Sequence, residues 1–176
     1  LTASRGIDGV CFTGSIETAR HIHRSMALTG NPAAPLIAET GGINAMLVDS
    51  TALPEQVVRD VLVSAFQSAG QRCSALRILY LQEDIKDRVL ELLFGAMDEL
   101  QLGDPLDLAT DVGPVIDASA LQDIRSYCER AKTAGRVLKQ LDAPAVGYFM
   151  GPTVIEVSGI GAIEREIFGP VLHIAA

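Results

Sequence analysis

The chain has 176 residues, 48% of them hydrophobic, with 22 acidic and 14 basic side chains and a formal net charge of -8. That length allows one full core, or one domain plus part of another, and a mean hydropathy of +0.28 argues against a disordered chain. The acidic balance opposes binding to nucleic acid or an anionic membrane, which need clustered Lys and Arg, and no apolar run reaches the roughly 18 residues of a membrane span.

Taken in chain order, short apolar runs alternate with helical periods, the pattern of an α/β fold with a mostly parallel sheet flanked by helices. Gly9-Val10-Cys11-Phe12-Thr13 reads as a strand, and Gly14-Ser15 turns it into a helix with Ala19, Ile22 and Met26 inward. Pro32 and Pro35 make a loop. Residues 36–38 and 45–48 read as strands around Gly41-Gly42. Pro54-Glu55 opens a helix with Val57, Val58, Val61, Leu62, Ala65 and Phe66 as its apolar stripe, stopping at Ser68-Ala69-Gly70. A strand over 77–81 follows, then a helix carrying Ile85, Val89, Leu92, Leu93, Ala96, Met97 and Leu100. A third long helix starts at Asp117 as N-cap, turns Leu121, Ile124, Cys128 and Ala131 inward, and ends at Gly135. Short strands are expected near 137–138, 153–155 and 171–174. The chain opens on Leu1 and closes on an apolar stretch, so both ends read as cuts through a larger polypeptide.

The three cysteines, Cys11, Cys73 and Cys128, are too few and too irregularly spaced for a disulfide framework or a zinc site, and free thiols fit a reducing cytoplasm. No signal peptide is visible. His21 and His23 are two apart on a helix and cannot share a face, so no metal is expected.

The chemistry concentrates in two loops. Cys73 stands in Ser-Ala-Gly-Gln-Arg-Cys-Ser-Ala, where small neighbours let a substrate approach and Arg72 could favour a thiolate. A free cysteine is more often a small buried hydrophobe, and core packing is the reading for Cys11 and Cys128. Glu39 ends the run Leu36-Ile37-Ala38 and precedes Gly41-Gly42. A carboxylate there is expected to be partly desolvated, which suits a general base. The thiol attacking a carbonyl and the carboxylate later activating water would make two-step acyl chemistry. Gly14 and Ser15 begin a helix whose free N–H groups suit phosphate, although, taken alone, they fit an ordinary Ser-capped helix better. Glu166, ahead of Phe168-Gly169-Pro170, could grip a ribose and a flat ring or simply anchor a loop.

Phe12-Thr13-Gly14-Ser15, Glu39-Thr40-Gly41-Gly42-Ile43-Asn44, Gly70-Gln71-Arg72-Cys73, Gly113-Pro114-Val115-Ile116 and Glu166-Ile167-Phe168-Gly169-Pro170-Val171 occur in one order along nearly the whole chain. Together they resemble the aldehyde dehydrogenase superfamily. Gln71-Arg72-Cys73-Ser74-Ala75-Leu76-Arg77 is most similar to its pyrroline-5-carboxylate (glutamate semialdehyde) dehydrogenases, in particular those fused into bacterial bifunctional proline-utilisation enzymes. The resemblance implies an aldehyde-dehydrogenase-type catalytic domain. Residues 1–38 would be the remnant of a dinucleotide-binding domain, and 39–176 the catalytic domain truncated at its C-terminal end. It implies Cys73 as nucleophile and Glu39 as general base. NAD, with NADP left open, would lie against Gly14, Ser15, Glu166 and Phe168, and Ser74 would help hold a substrate carboxylate. It further implies a homo-oligomeric parent acting on a small aldehyde, with the oxyanion asparagine preceding Leu1, so that the isolated segment is expected to be inactive or very weak. Thr40 replaces the family's usual Leu. Two other readings stand beside this one, a thiol acyltransferase or hydrolase without nucleotide and a non-catalytic assembly module.

Overall fold

A computed structural model describes residues 1–176, which divide into two compact units, Leu1–Gly42 and Ile43–Ala176. The N-terminal unit is one βαβ crossover. Strand β1 (Val10–Thr13) pairs in parallel with β2 (Leu36–Glu39), in register Val10↔Leu36 through Thr13↔Glu39, and α1 (Ile16–Leu28) connects them. The Ser15 hydroxyl caps α1 by accepting the Thr18 N–H at 3.1 Å, and Ala19 and Met26 are its buried residues. Cys11, expected to pack in a core, is instead exposed. On this two-stranded ribbon alternate residues face opposite ways, and Val10 and Phe12 take the half-buried face while Cys11 and Thr13 take the open one.

The C-terminal unit is a five-stranded sheet in the order β3-β4-β7-β6-β5, where β3 is Asn44–Val48, β4 Leu76–Leu81, β5 Val137–Gln140, β6 Thr153–Glu156 and β7 Val171–Ala175. All neighbours are parallel except β5, which runs antiparallel to β6 at one edge. The inner strands are nearly continuous apolar runs, as a sheet covered on both faces requires. Every residue of β7 is buried, and only Tyr80 of β4 is not. The helices are α2 (Pro54–Phe66), α3 (Glu83–Asp98) and α4 (Ala118–Thr133).

Each helix follows its sequence signals. Pro54 stands in the first turn of α2, where a missing N–H costs nothing. Glu83 and Asp84 sit at the positive end of α3, whose buried face is Val89, Leu93 and Met97. Asp117 caps α4 by accepting the Ala120 N–H at 2.8 Å, and Leu121, Ile124, Cys128 and Ala131 are buried. At its far end Gly135 takes φ +68, and the N–H groups of Gly135 and Arg136 return to the carbonyls of Lys132 and Ala131. That double bond closes the helix and needs a left-handed residue, which glycine supplies without steric cost. No helix is long and apolar enough to cross a membrane.

Candidate active site

α2 ends in a sharp reversal. Ser68, Ala69 and Gly70 all adopt left-handed φ, at 57°, 52° and 65°. For Ser68 and Ala69 this conformation costs about 1 kcal/mol or more each. Gly70 could not be replaced at no cost, because a Cβ there would collide with the Gly169 carbonyl. The reversal delivers Gln71-Arg72-Cys73-Ser74 to the surface just ahead of β4, and Cys73 and Ser74 are exposed.

Four side chains clamp this loop, Asn44 and Arg77 through its carbonyls, Gln71 and Arg72 by reaching from it to the backbone of other segments. Asn44 Nδ2 donates to the Cys73 carbonyl at 2.7 Å and to the Ala75 carbonyl at 2.9 Å. Gln71 accepts the Ile116 N–H at 2.8 Å and donates to the Pro114 carbonyl at 3.3 Å, tying the loop to Gly113-Pro114-Val115-Ile116. Arg72 donates to the carbonyls of Val63 and Ser64 at the C-terminal end of α2. Its cation therefore serves the negative end of that helix rather than the neighbouring thiol. Arg77, from β4, donates to the carbonyls of Gly70 at 2.7 Å and Arg72 at 3.2 Å. With its carbonyl pinned, the Cys73 peptide is fixed, while the N–H groups of Cys73 and Ser74 donate to nothing in the chain. A thiol beside free, fixed N–H donors is suited to acyl chemistry, because the donors are aimed before charge develops on a carbonyl oxygen.

Glu166 and Phe168 lie on the segment that leads into β7. Glu166 Oε1 accepts from Arg77 Nε at 3.0 Å and from Arg77 Nη2 at 2.8 Å, and its other oxygen carries no bond within the chain. Glu166 is thus paired with a buried guanidinium. Phe168 is 46% exposed, with the Arg77 Cζ 5.3 Å from its ring centroid. Burial pulls the Arg77 guanidinium below its ordinary pKa, and the Glu166 carboxylate opposes that shift.

The other sites lie in the N-terminal unit. Glu39 is the last residue of β2, and its carbonyl accepts the Gly14 N–H at 3.1 Å. Its side chain is exposed, so the partial desolvation expected from the preceding apolar run is absent; in this short strand Ile37 and Ala38 are exposed too. Gly14 and Ser15 form the β1–α1 turn, at the head of a thirteen-residue helix. The exposed N–H end of that helix suits an anion such as a phosphate. Within the C-terminal unit, the free Glu166 oxygen can accept from a hydroxyl and the exposed Phe168 ring offers an apolar face.

Sequence reasoning passed over Asn44 and Arg77. Arg77 had a signal: it is the one charge in the run Leu76–Leu81, and a charge in a buried strand must be paired. Asn44 had none, because its partners are the carbonyls of Cys73 and Ala75, far along the chain.

Residues 1–176 match the Aldehyde dehydrogenase family. The chain is 49% identical over 185 residues to the bifunctional protein PutA of Klebsiella aerogenes, covering 99% of this chain and 14% of that relative. It is 36% identical to a 1-pyrroline-5-carboxylate dehydrogenase of Geobacillus kaustophilus, covering 94% of this chain and 33% of that one. Among solved structures, Bradyrhizobium japonicum proline utilization A matches with a TM-score of 0.94 at 53% identity, over 99% of this chain and 18% of that one. A Staphylococcus aureus betaine aldehyde dehydrogenase in complex with NAD+ matches with a TM-score of 0.89 at 31% identity, over 98% of this chain and 36% of that one.

Proposed function

Since the chain belongs to the aldehyde dehydrogenase family, we propose that it is the catalytic segment of an NAD-dependent aldehyde dehydrogenase that oxidises glutamate semialdehyde to glutamate. The substrate assignment rests on its likeness to PutA proteins and to a 1-pyrroline-5-carboxylate dehydrogenase. The observation that carries the mechanism is the clamped loop, with Cys73 exposed and the Cys73 and Ser74 N–H groups free.

Cys73 Sγ, as the thiolate, forms a bond to the aldehyde carbon, and the carbonyl π pair moves to oxygen. The Cys73 N–H donates to that oxyanion; a single such donor is typically worth about 100- to 1000-fold in rate. The nicotinamide, when bound, supplies the acceptor for the hydride whose departure leaves a thioester on Cys73. Glu39 then takes a proton from water, the hydroxide adds to the thioester carbon, and the C–S bond breaks to return the thiolate. Exposure of Glu39 leaves water within its reach. Gly14 and Ser15 would hold the pyrophosphate, Glu166 and Phe168 the nicotinamide end, and Ser74 a substrate carboxylate. The exposed Cys11 and Cys73 thiols fit a reducing compartment such as the cytoplasm.

The hydrolase reading finds less support. His173, the one histidine of the C-terminal unit, is buried with both ring nitrogens bonded, to the Tyr127 hydroxyl and the Arg77 carbonyl. No imidazole of that unit is available to activate the thiol.

The test uses the full-length protein carrying this sequence. Cys73→Ala should lower NADH formation from glutamate semialdehyde by at least about 1000-fold while leaving NAD binding, measured by titration calorimetry, within a few-fold. NADH formation that survives the substitution, or a wild-type protein that binds no NAD, would end this reading.

A further inference from the structure

Arg77 is 1% exposed, yet every one of its guanidinium N–H groups has a partner. Five donors meet five bonds: Nε and Nη2 to Glu166 Oε1, Nη1 to the Gly70 and Gly169 carbonyls, and Nη2 to the Arg72 carbonyl. Its partners come from two loops ninety-odd residues apart in the chain. Gly70 and Arg72 belong to the thiol loop, while Glu166 and Gly169 flank Phe168, whose ring lies under the same guanidinium.

We infer that Arg77 is the positioning residue that locks the thiol loop and the Glu166–Gly169 loop into one piece, so that a single side chain sets both the Cys73 peptide and the orientation of Glu166. The half concerning Glu166 and the nucleotide rests on the function proposed above; the half concerning the two loops does not. The fork explains why arginine is needed. Lysine has three donors on one atom and cannot span acceptors on both loops. Because Glu166 Oε1 is taken by two N–H groups of Arg77, its second oxygen is the one presented to a ligand hydroxyl.

A double-mutant cycle in the full-length protein tests this. The readout of the loop half is the rate at which iodoacetamide alkylates Cys73, located by peptide mass, with no nucleotide present. Glu166→Ala removes two of the five bonds without touching the thiol loop, and Arg77→Lys removes the fork. Each should change that rate by at least about threefold, and the double variant should match Arg77→Lys alone. A wild-type rate in folded Glu166→Ala overturns the inference, as does full additivity of the two changes. Should Arg77→Lys fail to fold, Glu166→Ala alone decides. For the second half, Arg77→Lys should raise the KM for NAD at least about tenfold, well beyond any loss in kcat. An unchanged KM in folded protein overturns that half. If Cys73→Ala retains dehydrogenase activity, the proposed reaction fails while the alkylation arms still report on Arg77.

Discussion

The three cysteines show how much a residue's surroundings decide. Cys73 rides an exposed loop whose carbonyls are held by Asn44 and Arg77, and Cys11 lies on the open face of a two-stranded ribbon. Cys128 faces inward from α4, where burial pushes its thiol up to about 11. At neutral pH that leaves about one Cys128 in ten thousand as thiolate. Iodoacetamide at pH 7.5 should therefore label Cys73 and Cys11 in folded protein and leave Cys128 unmodified until urea is added. Peptide mapping of labelled protein checks this, and labelling of Cys128 at a comparable rate would contradict the burial argument. The sequence made Cys73 and Cys128 readable, one by its small neighbours and the other by its place in a helical stripe. Cys11 misled because a strand four residues long looks the same whether one face is covered or none.

At the scale of elements, β7, β4 and α4 meet at His173. A carbonyl can only accept, so the 2.8 Å contact with Arg77 O requires a proton on Nδ1. Nε2 of the neutral ring then accepts from the Tyr127 hydroxyl at 2.7 Å. Burial lowers the His173 pKa below its ordinary 6.5; the Arg77 carbonyl opposes, and the Arg136 and Arg77 charges reinforce the drop. The native ring thus stays neutral at a pH where the unfolded ring binds a proton. The stability this confers is complete above about pH 6.5 and is lost as pH falls below that value toward the folded pKa. The loss is at most about 1.4 kcal/mol per pH unit. Urea unfolding between about pH 7.5 and 5.5 should show a steeper decline for wild type than for His173→Asn, whose amide can still donate to Arg77 O. Equal slopes would contradict the assignment.

The same elements mark the limits of reading by pattern. The helices were legible because apolar residues recur at three and four, and the caps Ser15, Asp117 and Gly135 announce their ends. The sheet order β3-β4-β7-β6-β5 was not, since β4 pairs with a strand some ninety residues later and no local signal encodes that choice. The left-handed run through Ser68 and Ala69 was equally hidden, because neither residue type advertises φ > 0; only Gly70 did.

On the scale of the whole molecule, the residues of the proposed reaction are divided between two units. The N-terminal unit carries the β1–α1 turn and Glu39, and the C-terminal unit carries the clamped thiol and the Glu166–Phe168 segment. The motifs of both were legible because small residues and glycines leave a visible trace where a backbone must turn. The partners of the fittings that hold them were not, because Asn44 and Arg77 act on backbone carbonyls that any residue could supply; only the lone charge of Arg77 in a buried strand left a trace. The proposed reaction requires the carboxylate of one unit to finish what the thiol of the other begins. Glu39→Gln in the full-length protein isolates that requirement, because it spares thiol attack and hydride loss and removes the base for hydrolysis. Mixed with glutamate semialdehyde and NAD, the variant should release about one NADH per active site in a burst and then stall. Intact mass spectrometry should find an acyl group on Cys73. Steady turnover within a few-fold of wild type, with no adduct on Cys73, would contradict the account.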